Sequence, residues 1–263
     1  MKSSLSVTSK QILNDSMKLA LQLKFSVCLL LLIFIAPTLV TSAETQRVKV
    51  FTSILPQKYL VEQIAGDLVD VEVLVGPGMS PHTFEPLPQQ MSRLSRAAVF
   101  FMVGVPFEQV LVSRLAAICP DLKLVDTGKD VPRRAMNEPD SDHQHSEDCV
   151  HETGAPDPHY WIDPMHALTM SVAVASAMVE IMPDRAAQIN AGLAKLTNEL
   201  QTLDQQLTTA LAPVKGQTML VFHPAFGYFA ARYGLKQQSV EVEGKEPGPR
   251  QLAELIRKCR KLN

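Results

Sequence analysis

The chain has 263 residues, with 25 lysines and arginines against 27 aspartates and glutamates, a formal charge of −2. That balance, with no basic stripe and no platform of aromatic residues, excludes nucleic-acid binding as a reading. The length suits one large domain or two small ones.

Residues 1–43 read as an export signal. Lys10, Lys18 and Lys24 precede an uncharged apolar run, "FSVCLLLLIFIAPTLV" (25–40), and Thr41, Ser42 and Ala43 follow it. A basic lead, an apolar centre and a small-residue cleavage site define a secretory signal peptide. A membrane anchor is the alternative, but the run is short of the about 20 residues that a spanning helix needs, and Pro37 interrupts it. Cys28 does not fit a lipid-attachment cysteine, because most of the apolar run comes after it. Met17 offers a second start. Removing residues 1–43 takes away four lysines and one aspartate, which leaves a formal charge of −5. The remaining Cys119, Cys149 and Cys259 match no CxxC or zinc-knuckle spacing. An exported chain without a lipid-attachment cysteine points to a periplasm.

Residues 44–182 read as a first lobe. "RVKVFTS" (47–53), "VEVLV" (71–75), "AVFFMV" (98–103) and "LKLVD" (122–126) are short apolar runs of strand length. "LPQKYLVEQIAG" and "PFEQVLVSRLAAICP" between them have helical character. Strands alternating with helices predict an α/β layer with a mainly parallel sheet. Residues 133–157 then turn polar and acidic, with His143, His145 and His151 among them. Such a segment lacks the apolar residues to bury a core and reads as a loop.

Residues 183–213 read as one long linking helix. Ile189, Leu193, Leu196, Leu200, Leu203, Leu207 and Leu211 step by four and three, giving a single apolar stripe. Pro183 suits the start, and Pro213 lies past the end. About 28 residues at 1.5 Å each span roughly 40 Å. An ordinary core helix explains the pattern as well as a rigid strut between two lobes does. Residues 214–263 read as a second, incomplete lobe: strands "TMLVFH" (218–223) and "LKQQSVEV" (235–242), a helix in "AFGYFAARYG", and a further helix from "PGPRQLAELIRKCRKLN". Two strands alone do not make a stable sheet, so the lobe is expected to be partial.

His82 lies in "GPGMSPHTFEP", just after the second strand. His159 lies in "PDPHYWIDP", and His223 ends "TMLVFH". Ligands of open α/β sheets bind outside the carboxyl ends of strands. Pro81, Pro158 and Pro224 each adjoin one of these histidines and restrict its backbone. Three neutral imidazoles with one more donor suit tetrahedral zinc, and imidazole also suits copper, iron and nickel. Singly, each histidine is explained by a structural hydrogen bond; the set of three at such places favours a metal. Glu85 and Asp163 are candidates to orient them, with helix capping as the equal alternative.

These motifs together resemble the cluster A-I metal-binding proteins of ABC transporters, the periplasmic zinc-uptake receptors in particular. The matching stretches are "FTSILPQKYLVEQIAGD", "GPGMSPHTFEPLPQQMSRLSRA", "PDPHYWIDP", "FHPAFGYFAARYGL" and "EGKEPGPRQLAELI", which cover most of residues 47–258. The resemblance implies two α/β lobes joined by one rigid helix, with Zn²⁺ held between them as cargo. His82, His159 and His223 fall on the family's ligand positions. The manganese-type relatives tend to carry glutamate where His223 stands, so zinc is the expected cargo, with manganese or iron as the alternative. The family's fourth, acidic ligand would lie beyond Asn263, and roughly 40–60 residues of a typical member are then absent. The expected partner is the inner-membrane permease of the ABC transporter, and the expected state a monomer. His143, His145 and His151 resemble the family's His-rich loop, with a solvated acidic loop as the alternative. A zinc hydrolase would use the same three-histidine set, but the chain has no HExxH and no tellingly spaced carboxylate pair.

Overall fold

The computed structural model describes residues 47–136 and 156–241, with a few isolated positions outside these ranges. Nearly all of the expected signal segment, residues 137–155 with His143, His145 and His151, and nearly all of the expected C-terminal helix lie outside the described residues. The unit Gln46–Asn263 is separate from Met1–Thr45, and everything below concerns it.

Four strands form one parallel sheet: β1 (Val48–Ile54), β2 (Val69–Val75), β3 (Val99–Met102) and β4 (Lys123–Asp126), in the order β2-β1-β3-β4. Val50 pairs with Val71 on one side and Val99 on the other, and Phe101 with Val125. A parallel sheet is covered on both faces, which is why its strands read as nearly unbroken apolar runs. Side chains alternate between two packed layers. Val50, Val99 and Phe101 face one; Phe51, Leu74 and Phe100 face the other.

Proline sets where the helices start. α1 (Leu55–Ala65), α2 (Pro88–Leu94), α3 (Pro106–Ile118) and α4 (Pro164–Ile181) all carry it in their first two positions, where its missing N–H costs no helix bond and its φ is already helical. α2 and α3 cover the Phe51–Phe100 face through Leu94, Leu111 and Leu115. α1 and α4 cover the other face through Val61, Ile64, Met170 and Val174.

The separate helix α4 is absent from the sequence reading. It is long and apolar enough by composition to cross a membrane, the one such helix among the described residues. Its apolar residues go nearly all the way round, with Val172 exposed and Met170, Val174 and Met178 fully buried. It therefore lacks the one-sided stripe by which a helix announces itself.

The expected linking helix is observed as α5 (Ala186–Leu211), entered through a 3₁₀ turn at Pro183–Arg185 and left through another at Ala212–Val214. Its stripe is divided. Ile189, Leu196 and Leu200 are buried in the first lobe's core, whereas Leu203 is exposed. The first half of α5 is thus part of the first lobe. Gly192 makes the approach possible: a Cβ there would lie 2.2 Å from the Ile64 carbonyl oxygen of α1.

Past α5, β5 (Thr218–Val221) and β6 (Lys236–Ser239) pair in parallel across α6 (Gly227–Tyr233). Among the described residues this is the second, smaller sheet. β5 stops at Val221, so His223 lies two residues beyond the strand rather than on it. Arg232 of α6 forks onto Asp204 of α5, at 2.6 and 3.2 Å, and lies 3.4 Å from Asp163 at the start of α4. Tyr233 donates to the same Asp204 carboxylate at 3.0 Å. Three helices from both lobes are thereby tied at one point.

Candidate metal centre

His82 follows β2 in a turn with little backbone support. Met79 N–H donates to Gly76 O at 3.2 Å, Thr83 N–H to Ser80 O at 3.3 Å, and His82 N–H to the Ser80 hydroxyl at 3.3 Å. It is the exposed member of the three histidines.

His159 is held far more tightly. The next residue, Tyr160, is fully buried and donates its hydroxyl to the Val103 carbonyl at 2.9 Å. That carbonyl sits just past the end of β3. The buried Glu108 carboxyl fixes the same backbone, accepting from Val103 N–H at 2.9 Å and Gly104 N–H at 2.6 Å, and it also bonds the Ser53 hydroxyl. Burial raises the Glu108 pKa, against the pull of those three donors. The "PDPHYWIDP" turn is thus bolted to the carboxyl end of the sheet. Its last acid, Asp163, caps α4 by accepting from Met165 N–H at 2.8 Å.

Two carboxylates back two of the imidazoles. Asp157, itself fully buried, accepts at Oδ1 from the His159 backbone N–H at 2.9 Å and from His159 Nδ1 at 2.8 Å. Glu241 Oε2 lies 2.6 Å from His223 Nδ1. A carboxylate at Nδ1 accepts a hydrogen bond from the ring N–H there and so fixes the tautomer in which Nε2 carries the lone pair. The two Nε2 atoms then face each other at 3.3 Å. Two lone pairs at that distance repel unless a proton or a cation lies between them.

The three sequence-expected residues come together. His82, His159 and His223 each offer one ring nitrogen within 4.8 Å of the others, and their ring centroids are 5.1 to 5.8 Å apart. Enclosure lowers the His82 pKa first, and the neighbouring His159 and His223 rings lower it further, while Glu241 opposes them. The first three effects favour the neutral, metal-binding imidazole.

The expected orienting residues are elsewhere. Asp163 is a helix cap, with His166 Nδ1 3.6 Å away. Glu85 is exposed and, among the described residues, bonds none of the three histidines. Asp157 and Glu241 were missed. Asp157 had a signal, an aspartate two residues before a histidine, which is the spacing of a side-chain-to-backbone turn. Glu241 had none in sequence. It reaches His223 because parallel pairing continues past the strands, with Val240 N–H on Val221 O and Glu241 N–H on Phe222 O at 2.8 and 2.9 Å.

Comparison with known proteins bears on this arrangement. The family described as zinc-uptake complex component A, periplasmic, matches residues 50–263. Among curated proteins the chain is similar to the zinc-binding lipoprotein AdcA of Streptococcus pneumoniae, 28% identical over 221 residues, covering 82% of this chain. It is equally identical, over 208 residues, to the high-affinity zinc uptake system protein ZnuA of Yersinia pestis, covering 71% of this chain. The chain spans 43% of the pneumococcal protein and 63% of the Yersinia one. Among solved structures, a crystal structure of ZnuA superposes with a TM-score of 0.72 at 35% identity, covering 82% of this chain and 79% of that one. A zinc-bound ZnuA lacking residues 138–173 of its own numbering superposes with a TM-score of 0.70 at 35% identity, covering 82% and 78%. The two-lobed α/β fold, the chain length that matches and the family profile agree: this chain belongs to the zinc-uptake complex component A family.

Proposed function

We propose that the chain captures Zn²⁺ outside the cytoplasmic membrane and hands it to the permease of an ABC transporter. The observation that carries this reading is the meeting of three imidazole nitrogens from two lobes, two of them backed by carboxylates. Under this reading His82, His159 and His223 are the metal ligands, and zinc is cargo held by reversible chelation. An all-nitrogen donor set favours zinc over manganese, which prefers oxygen ligands. Residues 1–43 would direct export to the periplasm. Residues 44–182 would form the first lobe, 183–213 the linking helix and 214–263 a partial second lobe, acting as a monomer. The family is one of metal uptake, and the carboxylates beside the histidines, Asp157 and Glu241, are engaged with imidazole Nδ1 atoms, so hydrolysis is not the reading favoured.

The test is zinc stoichiometry and chelator-competition affinity on the mature chain, with Mn²⁺ as competitor. One zinc per chain is expected, lost when His82, His159 and His223 are all changed to Ala. Binding that survives the triple change would overturn the site.

A further inference from the structure

The backbone of Asp157 is held on both sides, and one of the two holds comes from the second lobe. Its N–H donates to Arg134 O at 2.9 Å. Its carbonyl accepts from the Tyr228 hydroxyl of α6 at 3.1 Å, and that hydroxyl accepts in turn from Arg134 N–H at 3.1 Å. The three groups close a ring of hydrogen bonds. One residue further out, Ala135 and Pro156 form an antiparallel bridge. Tyr228 is buried and packs edge-on against Tyr160 and His166 of the first lobe, with centroids 6.3 and 5.2 Å away. Gly227 lets α6 come this close, since a Cβ there would lie 2.7 Å from the Arg134 guanidinium at Nη1 and 2.9 Å from Asp157 Oδ2.

We propose that Tyr228 is a positioning residue for the metal site: docking of α6 through its hydroxyl fixes the Asp157 backbone, and through Asp157 the His159 imidazole. The second lobe thus acts on the site twice, by supplying His223 and by setting a ligand that belongs to the first lobe. The phenol is not among the three candidate ligands. It matters because an imidazole orienter works only while its own backbone is fixed.

The proposal rests on the zinc reading above, and the experiment separates the two. Zinc dissociation constants are measured by chelator competition for the wild-type chain, Tyr228→Phe, Asp157→Asn and the double variant, each with its metal-free Tm. His159→Ala serves as control. Tyr228→Phe should weaken zinc about five- to tenfold, toward the low end of what residues behind a ligand give. In the Asp157→Asn background it should add no more than about twofold, because the two act through one path. Gly227→Ala, whose methyl crowds the Arg134 guanidinium and Asp157 Oδ2 from the α6 side, should also weaken zinc and serves if Tyr228→Phe does not fold. Zinc affinity unchanged in both Tyr228→Phe and Gly227→Ala, or a Tyr228→Phe loss that is fully additive with Asp157→Asn, overturns the positioning role while leaving the zinc site intact. A wild-type chain that binds no zinc, or a His159→Ala chain that binds it as tightly, overturns the zinc reading itself and the proposal with it.

Discussion

Asp157→Asn isolates the charge behind His159 from the shape around it. The amide is isosteric and its oxygen still accepts from His159 Nδ1 and from the backbone N–H, now at 2.8 and 2.9 Å from Oδ1. What is lost is the charge. A hydrogen bond to an ionised group contributes about 1.5–3 kcal/mol and a neutral one about 0.5–1.5, so the imidazole loses about 1–2 kcal/mol of support. That converts to a zinc affinity about 5- to 30-fold weaker. The metal-free fold should change little, because Asp157 Oδ2 is buried without a hydrogen-bond partner: the charge removed there and the two N–H donors that the amide places there act in opposite directions. The metal-free Tm should stay within about 4 °C of wild type. Chelator competition and thermal melts on the same sample give both numbers. Unchanged zinc affinity beside a clear fall in Tm would refute the reasoning: Asp157 would then hold the turn and nothing else.

Other outcomes follow from the same geometry. Glu241→Gln should weaken zinc less, by about 3- to 10-fold, because the His223–Glu241 pair is more exposed than the Asp157–His159 pair and solvent screens it. Gly192→Ala should destabilise by about 1–3 kcal/mol, seen as a lower denaturation midpoint, since its Cβ would meet the Ile64 carbonyl and two helices must separate; the zinc affinity of the folded fraction should stay unchanged. His82 and His166 both have folded pKa values lowered from 6.5, chiefly by burial. The unfolded chain therefore binds more protons, so their stability contribution is full above pH 6.5 and is lost as pH falls through that value toward the folded pKa. Zinc affinity should fall in the same acid direction, because a protonated imidazole is no ligand, and melts and competition titrations from pH 8 to 5 check both. Stripping zinc from a sample held at a thousand times its dissociation constant should remove about 4 kcal/mol, a drop in Tm of roughly 8–16 °C by calorimetry.

Much of the fold was legible because its signals are local. The parallel sheet buries both faces, so its strands stand out as apolar runs, and all six expected strands are found within a few residues of their predicted ends. The histidines stood out because each adjoins a proline and follows a strand or a tight turn. What stayed hidden depends on tertiary pairing. Helix α4 is apolar on nearly every side, so periodicity has no contrast to detect. The stripe of α5 is continuous in sequence, yet only its first half meets the core, because burial is decided by what lies opposite. Glu241 is 18 residues from His223, and only the register of β5 on β6, with Val221 opposite Ser239, brings the two side by side. Asp163 and Glu85 were plausible by nearness in sequence, and the bonds to the histidines went to Asp157 and Glu241 instead.

His159 and His82 are anchored very differently. The turn of His159 is bolted to the sheet through the buried Tyr160, whose hydroxyl donates to the Val103 carbonyl, whereas the turn of His82 is closed by backbone bonds of 3.2 and 3.3 Å. Local opening begins where the backbone is least supported. Under the proposed zinc reading the His82 turn opens before the His159 turn, so a three-nitrogen site becomes a two-nitrogen one without global unfolding. Zinc should then slow amide exchange most in this turn, and the spontaneous off-rate should follow its opening rather than that of the main sheet.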